Sequence, residues 1–143
     1  MDASERTTAR ERGIHEGFRT RRRYRISIEV YERFLAAFGD TNALHVDDGF
    51  ARRHGFPEKV THGTILAGFL SHFVGVHFPG ENTLMHALSL QFKSPSHVGD
   101  EIEIEATVVQ VVEAVNVVTM DLLLTNLTRG RTAAKAKLQV GLL

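Results

Sequence analysis

The chain has 143 residues, 43% of them hydrophobic and 24% charged, which is the size and composition of one globular domain. Lys plus Arg and Asp plus Glu each number 17, so a formal net charge of zero gives no general attraction to nucleic acid or to a membrane surface. The absence of cysteine excludes disulfides, thiolate nucleophiles and cysteine-based zinc sites. The polar N-terminus lacks the apolar core of a signal peptide, so we expect a cytoplasmic protein.

The first 20 residues differ in pattern from the rest of the chain. They lack a sustained apolar stripe, so we expect residues 1–20 to form a flexible N-terminal tail and residues 21–143 to form a single domain. The run 19–23 contains four arginines. Such a run usually faces water, which favours a solvated edge segment over a phosphate site.

One strand and two short helices are predicted in the next part of the chain. Alternating residues over 24–28 predict the strand. Apolar residues at helical spacing predict a helix over 29–38 that ends at Gly39, and a further short helix over 47–54.

The segment 64–78 is apolar nearly all round and stops before Pro79. A helix with no strongly polar face is normally buried, and this segment is too short to span a bilayer comfortably. Four segments with period-two alternation follow, which predicts antiparallel strands with one apolar face each. Their apolar positions are Leu88, Leu90 and Phe92; Ile102, Ile104, Ala106 and Val108; Val118, Met120, Leu122 and Leu124; Ala134, Ala136, Leu138 and Val140. The chain therefore predicts an α+β fold in which an antiparallel sheet wraps around a central apolar helix.

A carboxylate and an imidazole stand five residues apart, at Asp40 and His45. Such a pair suits general acid/base chemistry on a small electrophile. His62 and Gly63 open the apolar helix, where unpaired N–H groups and the positive end of the helix dipole stabilise a developing oxyanion. Taken singly, Asp40 could be an ordinary turn residue and His45 an ordinary half-buried histidine. Their combination with Asn42 and the helix start favours a catalytic site.

The sequence from Phe38 to His45, followed by His62-Gly63, resembles the hydratase-2 motif of MaoC-like dehydratases and R-specific enoyl-CoA hydratases. Ala43 stands where that motif usually has proline. Downstream, the segment 90–100 resembles the strand and turn that follow the family's central helix. The resemblance covers roughly residues 22–142 and implies the hotdog fold.

This resemblance implies a hydro-lyase that reversibly hydrates trans-2-enoyl-CoA to (R)-3-hydroxyacyl-CoA without a cofactor. Asp40 and His45 would hold and activate the water and deliver a proton to C2. The oxyanion and substrate-binding residues would be Gly63, Asn42, Ser71 and His62. The implied partners are an acyl-CoA or acyl-carrier-protein thioester and a second copy of the chain, in a homodimer or a higher assembly of dimers.

Two other functions stay open: a hotdog acyl-thioesterase and a non-catalytic acyl-binding or assembly module. Thioesterases of this fold commonly carry a carboxylate on or near the central helix, and the segment 64–78 has none. The presence of Asp40, His45 and Gly63 argues against a silent module.

The eight histidines invite a metal site, but no His-x-x-x-His motif or carboxylate cluster predicts one. The histidines expected in turns or on strand surfaces are His54, His86 and His97. The side chains that could limit acyl-chain length are Phe69, Phe73, Leu84 and Met85.

Overall fold

Five antiparallel strands form one sheet in the computed structural model, which describes residues 6–143. In chain order the strands are β1 Arg19–Arg25, β2 Thr83–Phe92, β3 Glu101–Val112, β4 Val117–Asn126 and β5 Arg131–Leu142. Their order in the sheet is β1-β3-β4-β5-β2, so β1 and β2 are the two edges. Every neighbouring pair is antiparallel.

Four α-helices lie outside the sheet: α1 Ile28–Phe38, α2 Ala43–Val46, α3 Asp48–Arg53 and α4 Ile65–His72. A π-helical turn over Phe73–His77 continues α4, and a 3-10 turn over Glu113–Val115 joins β3 to β4. The hydroxyl of Ser27 caps the start of α1, and Gly39 ends it with φ of 66°, a conformation that glycine adopts without strain. The helices predicted over 29–38 and 47–54 are therefore confirmed.

The core lies between the inner face of the sheet and α4. Alternate residues of β3, β4 and β5 are buried in one cluster with Ile65, Leu70 and Phe73 of the α4 region. Those residues include all twelve apolar positions predicted for the last three strands. The predicted packing of an antiparallel sheet on an apolar helix is thus observed. Among residues 6–143, no helix is both long and apolar enough to cross a bilayer.

The edge strand β1 lies earlier in the chain than predicted, because its backbone pairs with β3 along the arginine run, which shows no apolar alternation. It spans residues 19–25 and not 24–28. The guanidinium groups of its outward-facing arginines pair with glutamates of β3, as Arg21–Glu105, Arg23–Glu103 and Arg25–Glu101. The arginine run is therefore an edge segment, but it is part of the sheet.

The other edge, β2, also departs from the prediction. Of the predicted core positions, Leu90 packs against the core cluster, but Leu88 and Phe92 are 37% and 53% exposed, so the expected core face is wrong at these two positions. The reason is that β2 is an edge strand: it pairs with β5 on one side only, which leaves these two side chains accessible at the margin of the sheet.

Residues 6–18 of the expected flexible tail pack on the domain. Ala9 and Ile14 are buried in the core cluster, and the guanidinium group of Arg12 donates to the backbone carbonyls of Glu81 and Asn82. Isolated apolar contacts of this kind leave no periodic signal in a sequence. Residues 1–5 of the tail lie outside the described residues, and the domain boundary at residue 21 stays a prediction.

Candidate active site

The loop after α1 carries Asp40 and places His45 on the short helix α2. The side-chain oxygen of Asn42 accepts the N–H of Leu44 at 3.1 Å and so begins that helix. The backbone N–H of Asn42 donates to Asp40 Oδ1 at 3.2 Å. Asn42 therefore contacts both halves of the acid/base pair, one through its own backbone and one through the helix that it caps.

The hydrogen bonds of His45 fix which ring nitrogen is free. Its Nδ1 lies 2.8 Å from the carbonyl oxygen of Val60. A carbonyl can only accept, so Nδ1 carries the proton and Nε2 of the neutral ring keeps its lone pair. Nε2 lies 3.9 Å from Asp40 Oδ2. The side chains of His45 and Asp40 are 18% and 50% exposed, which leaves the pair open to a small molecule.

His62 is buried and lies behind this pair. Its Nε2 donates to the backbone carbonyl of Asp40 at 2.8 Å. Its ring centre lies 4.3 Å from that of His45 and 4.9 Å from that of Phe34. His62 thereby fixes the backbone that carries Asp40 and supports the ring of His45.

Residues 59–62, here called the connector, link these groups to the start of α4. The connector is held from both sides: the N–H of Val60 donates to the Leu44 carbonyl at 3.0 Å, and that of Thr61 donates to the Ser96 carbonyl at 2.9 Å. On the far side, Nδ1 of His97 donates to the carbonyl of Lys59 at 2.9 Å. Bonds at successive residues leave the connector little freedom to move relative to Asp40 and His45.

A group here called the Asp100 cluster supports the connector; its members are the buried His97, Asp100 and Asn126 and the more exposed Arg129. Asp100 accepts from Arg129 Nε at 2.8 Å, from Asn126 Nδ2 at 2.7 Å and from the backbone N–H of His97 at 2.9 Å. Burial of Asp100 opposes its ionisation, but these hydrogen bonds outweigh that effect and lower its pKa. We expected His97 in a turn or on a strand surface, and the surface assignment is wrong because the ring is wholly buried.

A cavity of about 160 Å³ opens beside the pair, with His45, Gly63, Leu66, Phe92 and Pro95 among its walls. None of the hydrogen bonds within residues 6–143 uses the Gly63 N–H, which lies at the start of α4. The cavity is therefore lined both by the histidine whose Nε2 keeps its lone pair and by the glycine whose N–H is left without a partner in this range, at the positive end of a helix.

A larger depression of about 540 Å³ lies on the outer face of the sheet. Its charged residues include Asp121 and Lys137, which pair with each other at 3.5 Å. It contains neither histidine nor a helix start. The smaller cavity is therefore the candidate active site.

Two of the sequence-predicted features have a different outcome from the rest. Ser71 is exposed near the far end of α4; it makes no hydrogen bond to Asp40 or His45 and does not line the cavity.

We expected no cluster with metal-ligand spacing, yet Asp40, His45 and His62 each offer a possible ligand atom within 4.8 Å of the others. Each of the two histidines already uses one ring nitrogen on a backbone carbonyl, so a cation would have to take the other nitrogen.

Phe92 is a wall of the site that sequence reasoning missed. A methyl group added to Gly63 would lie 3.0 Å from a ring carbon of Phe92, so the ring rests on the Gly63 backbone. Alternation along β2 predicts that Phe92 faces the core. The one feature of the sequence that could have indicated a place at the site is its position just before the loop 93–96. The predicted length-limiting side chains do not line the cavity; they are Phe69, Phe73, Leu84 and Met85.

Comparison with known sequences identifies relatives of this architecture. The sequence profile of the family described as MaoC like domain matches residues 10–127. An (R)-specific enoyl-CoA hydratase of Aeromonas caviae is 39% identical over 75 residues, which are 52% of this chain and 56% of that protein. A 3-hydroxybutyryl-CoA dehydratase of Methylorubrum extorquens is 30% identical over 79 residues, 55% of this chain and 50% of that protein. The chain spans about half the length of the curated relatives it matches.

Solved structures agree over more of the chain. The (R)-hydratase of A. caviae involved in PHA biosynthesis is 29% identical and superposes with a TM-score of 0.83, covering 91% of this chain and 98% of that one. The unliganded R-hydratase PhaJ1 of Pseudomonas aeruginosa, at 23% identity, gives a TM-score of 0.84 over 96% of this chain and 86% of that one. These superpositions confirm the expected α+β hotdog fold. Since the family profile also matches most of its length, the chain belongs to the MaoC-like domain family.

Proposed function

We propose that this protein reversibly hydrates trans-2-enoyl-CoA to (R)-3-hydroxyacyl-CoA. The observation that carries the proposal is a cavity lined by both His45, whose Nε2 lies 3.9 Å from Asp40 Oδ2, and Gly63, whose N–H has no hydrogen-bond partner among residues 6–143. The relatives named (R)-specific enoyl-CoA hydratase support the same reaction. CoA and acyl-carrier protein are both possible carriers of the thioester.

The residues have separate tasks in this reaction. The lone pair on His45 Nε2 accepts a proton from water, which Asp40 helps to hold, while the water oxygen forms a bond to C3. The electron pair of the C2–C3 double bond moves towards the thioester oxygen, which accepts the N–H of Gly63. A proton then passes from the pair to C2 and the enolate collapses, so that one H and one OH have been added.

The expected rate gains are sufficient for this chemistry. A positioned acid/base group contributes roughly 10² to 10⁴ in rate, and an oxyanion donor roughly 10² to 10³. The thioester itself makes C2 acidic, so the protein has only to hold the water, accept the developing charge and return a proton. His62 and Asn42 act as positioning residues, because they bond to the backbone or side chain of Asp40. Ser71 is exposed on α4, and its proposed supporting role rests on the family resemblance.

A second copy of the chain is the proposed partner of the β2 edge. Leu84, Leu88 and Phe92 are exposed along an edge strand, which favours pairing with another strand. An exposed stripe of small residues on the α4 region, which includes Gly68 and Gly75, would also permit the close approach of a second copy. Light scattering after gel filtration should give the mass of a homodimer or of an assembly of dimers; a monomer at micromolar concentration would contradict this.

The reaction itself is tested by following the loss of enoyl absorbance with crotonyl-CoA and a longer enoyl-CoA, with chiral analysis of the product and a thiol reagent in parallel. Hydration to the (R)-alcohol without thiol release is expected. Release of free CoA would instead establish a thioesterase. Silence with every CoA ester, and with the corresponding carrier-protein esters, would leave a non-catalytic acyl-binding module.

A further inference from the structure

We propose that Tyr31 is a positioning residue of the acid/base pair, whose hydroxyl sets the orientation of His45 towards Asp40. The inference rests on the proposed function, because it adds a residue to the same site. It is carried by the hydrogen bond that the Tyr31 hydroxyl donates to the backbone carbonyl of His45 at 2.6 Å. Tyr31 lies outside the Phe38–His45 motif and does not line the cavity.

The helix that carries His45 is too short to hold its own position. α2 spans only Ala43–Val46, and an isolated helix of fewer than about 12 residues is marginal in water. None of its residues is buried, so apolar packing does little to fix it. The position of α2 therefore depends on hydrogen bonds from other parts of the chain.

Two elements supply those bonds. The connector holds α2 at one residue: the N–H of Val60 donates to the Leu44 carbonyl at 3.0 Å, and the carbonyl of Val60 accepts from His45 Nδ1 at 2.8 Å. Two bonds at a single residue still permit α2 to pivot about it. The Tyr31 hydroxyl binds α2 from the different element α1 and so opposes that pivot. It also satisfies a carbonyl at the end of a helix, which the helix itself leaves unpaired.

α1 thereby positions both groups of the pair. It ends at Gly39, directly before Asp40, and Tyr31 stands about two turns earlier on the same helix. The 3.9 Å between His45 Nε2 and Asp40 Oδ2 is then set within one unit. Displacement of a reacting group by about 1 Å can cost roughly 10² in rate, so the bond from Tyr31 matters for turnover.

Tyr31 is itself held in place, which gives its hydroxyl one direction. The residue is only 5% exposed, its ring centre lies 5.8 Å from that of His62, and the ammonium group of Lys59 lies 5.4 Å from the ring centre. Burial, and the nearby carboxylates of Asp48 and Glu32, raise the pKa of Tyr31. The hydroxyl therefore stays a donor throughout the pH range in which a histidine titrates.

The test is Tyr31→Phe, which keeps the ring and removes only the hydroxyl. The matched control is Tyr24→Phe, the same change at the only other tyrosine, whose hydroxyl bonds to His72 Nδ1 at 3.0 Å away from the cavity. We measure kcat and KM with crotonyl-CoA, the binding of unreactive butyryl-CoA by calorimetry, and unfolding in urea. Para-aminophenylalanine and para-methylphenylalanine are also placed at position 31, because they have similar size and only the first donates a hydrogen bond. This pair supplies the answer if Tyr31→Phe does not fold.

We expect Tyr31→Phe to lower kcat roughly tenfold to a hundredfold, while KM and the affinity for butyryl-CoA change less than about twofold. Para-aminophenylalanine should restore most of kcat, para-methylphenylalanine should not, and Tyr24→Phe should leave kcat unchanged. A residue with a merely structural role would lower the free energy of unfolding and leave kcat of the folded protein as it was. That result, or an equal loss of kcat in Tyr24→Phe, would overturn the inference and leave the hydratase function intact.

A failure of the proposed function is read separately. If the wild type hydrates no thioester, NMR of the imidazole nitrogens decides, with the His45 signals assigned by their loss in His45→Ala. The inference predicts a wild-type His45 with the proton on Nδ1, and signals that shift or broaden in Tyr31→Phe but not in Tyr24→Phe. Unchanged His45 signals in Tyr31→Phe would then overturn it.

Discussion

Two histidines hold neighbouring carbonyl groups of the connector from opposite sides. His45 Nδ1 donates to Val60 at 2.8 Å, and His97 Nδ1 donates to Lys59 at 2.9 Å. The local bond is the same, but the surroundings differ. The second nitrogen of His45 faces Asp40 and the cavity, whereas that of His97 is buried without a partner among the described residues. The Nδ1 bond to the connector is therefore not what distinguishes the two histidines. His45 can exchange protons because its Nε2 faces Asp40 and the cavity, whereas His97 serves only to hold the structure because its Nε2 is buried.

The largest expected effect lies on the His45 side. Asp40→Asn and His45→Ala should each lower kcat/KM for crotonyl-CoA by about 10³, because each removes one of the two groups that hold water and move protons. The free energy of unfolding in urea should change by less than about 1 kcal/mol for Asp40→Asn, since this side chain is half exposed. Asp121→Asn, on the outer face of the sheet, is the control. Activity within tenfold of the wild type in both catalytic variants would remove the basis for the proposed pair.

The His97 side should show the opposite pattern. Asp100→Ala leaves the Arg129 guanidinium, the Asn126 amide and the His97 N–H without their shared acceptor, which should lower the free energy of unfolding by about 3 kcal/mol. At a temperature where the variant stays folded, kcat/KM should fall less than tenfold. Urea unfolding and the crotonyl-CoA assay on the same preparation measure both. If Asp100→Ala were as stable as the wild type but a thousandfold less active, the proposed contrast between a catalytic His45 and a structural His97 would be contradicted.

A smaller effect is expected where the connector meets α4. In Gly63→Ala the new methyl group meets the Phe92 ring at 3.0 Å, so the ring must shift away from the Gly63 backbone. We expect kcat/KM for crotonyl-CoA to fall about tenfold, since the N–H donor is crowded but kept. Gly63→Ala/Phe92→Ala should regain part of that loss. No recovery in the double variant would show that the contact with Phe92 is not the cause.

The smallest predicted effect is a dependence of stability on acid. The folded-state pKa of Asp100 is lowered, so the unfolded state binds its proton more readily. Asp100 therefore stabilises the fold above its unfolded pKa, and that contribution is lost progressively as the pH falls below about 4. The difference in unfolding free energy between the wild type and Asp100→Asn should narrow from pH 7 to pH 3. A difference that stays constant would mean that the ionisation of Asp100 is not linked to folding.

The parts of the structure that a sequence reveals are those with local periodicity. Alternation placed Ile102 and Ile104 in the core, and Gly39 marked the end of α1. The remaining features depend on neighbours that are distant in the chain. The buried His97 bonds to Lys59, which is 38 residues earlier, and β1 is fixed by its backbone pairing with β3. At the site, spacing brought Asp40, His45 and Gly63 under consideration, but the position of Phe92 on Gly63 depends on sheet register, which no local pattern encodes.

The most direct test of the proposed pair is hydration of crotonyl-CoA in D₂O, with the product's relative configuration read by NMR. Asp40 Oδ2 and His45 Nε2 lie 3.9 Å apart, and His45 lines the cavity, so a planar enoyl group bound there would meet the pair on one face only. The account predicts one deuterium at C2, on the same face as the new hydroxyl at C3, and loss of the reaction in Asp40→Asn and His45→Ala. Deuterium on the opposite face, or unchanged hydration in either variant, would contradict it.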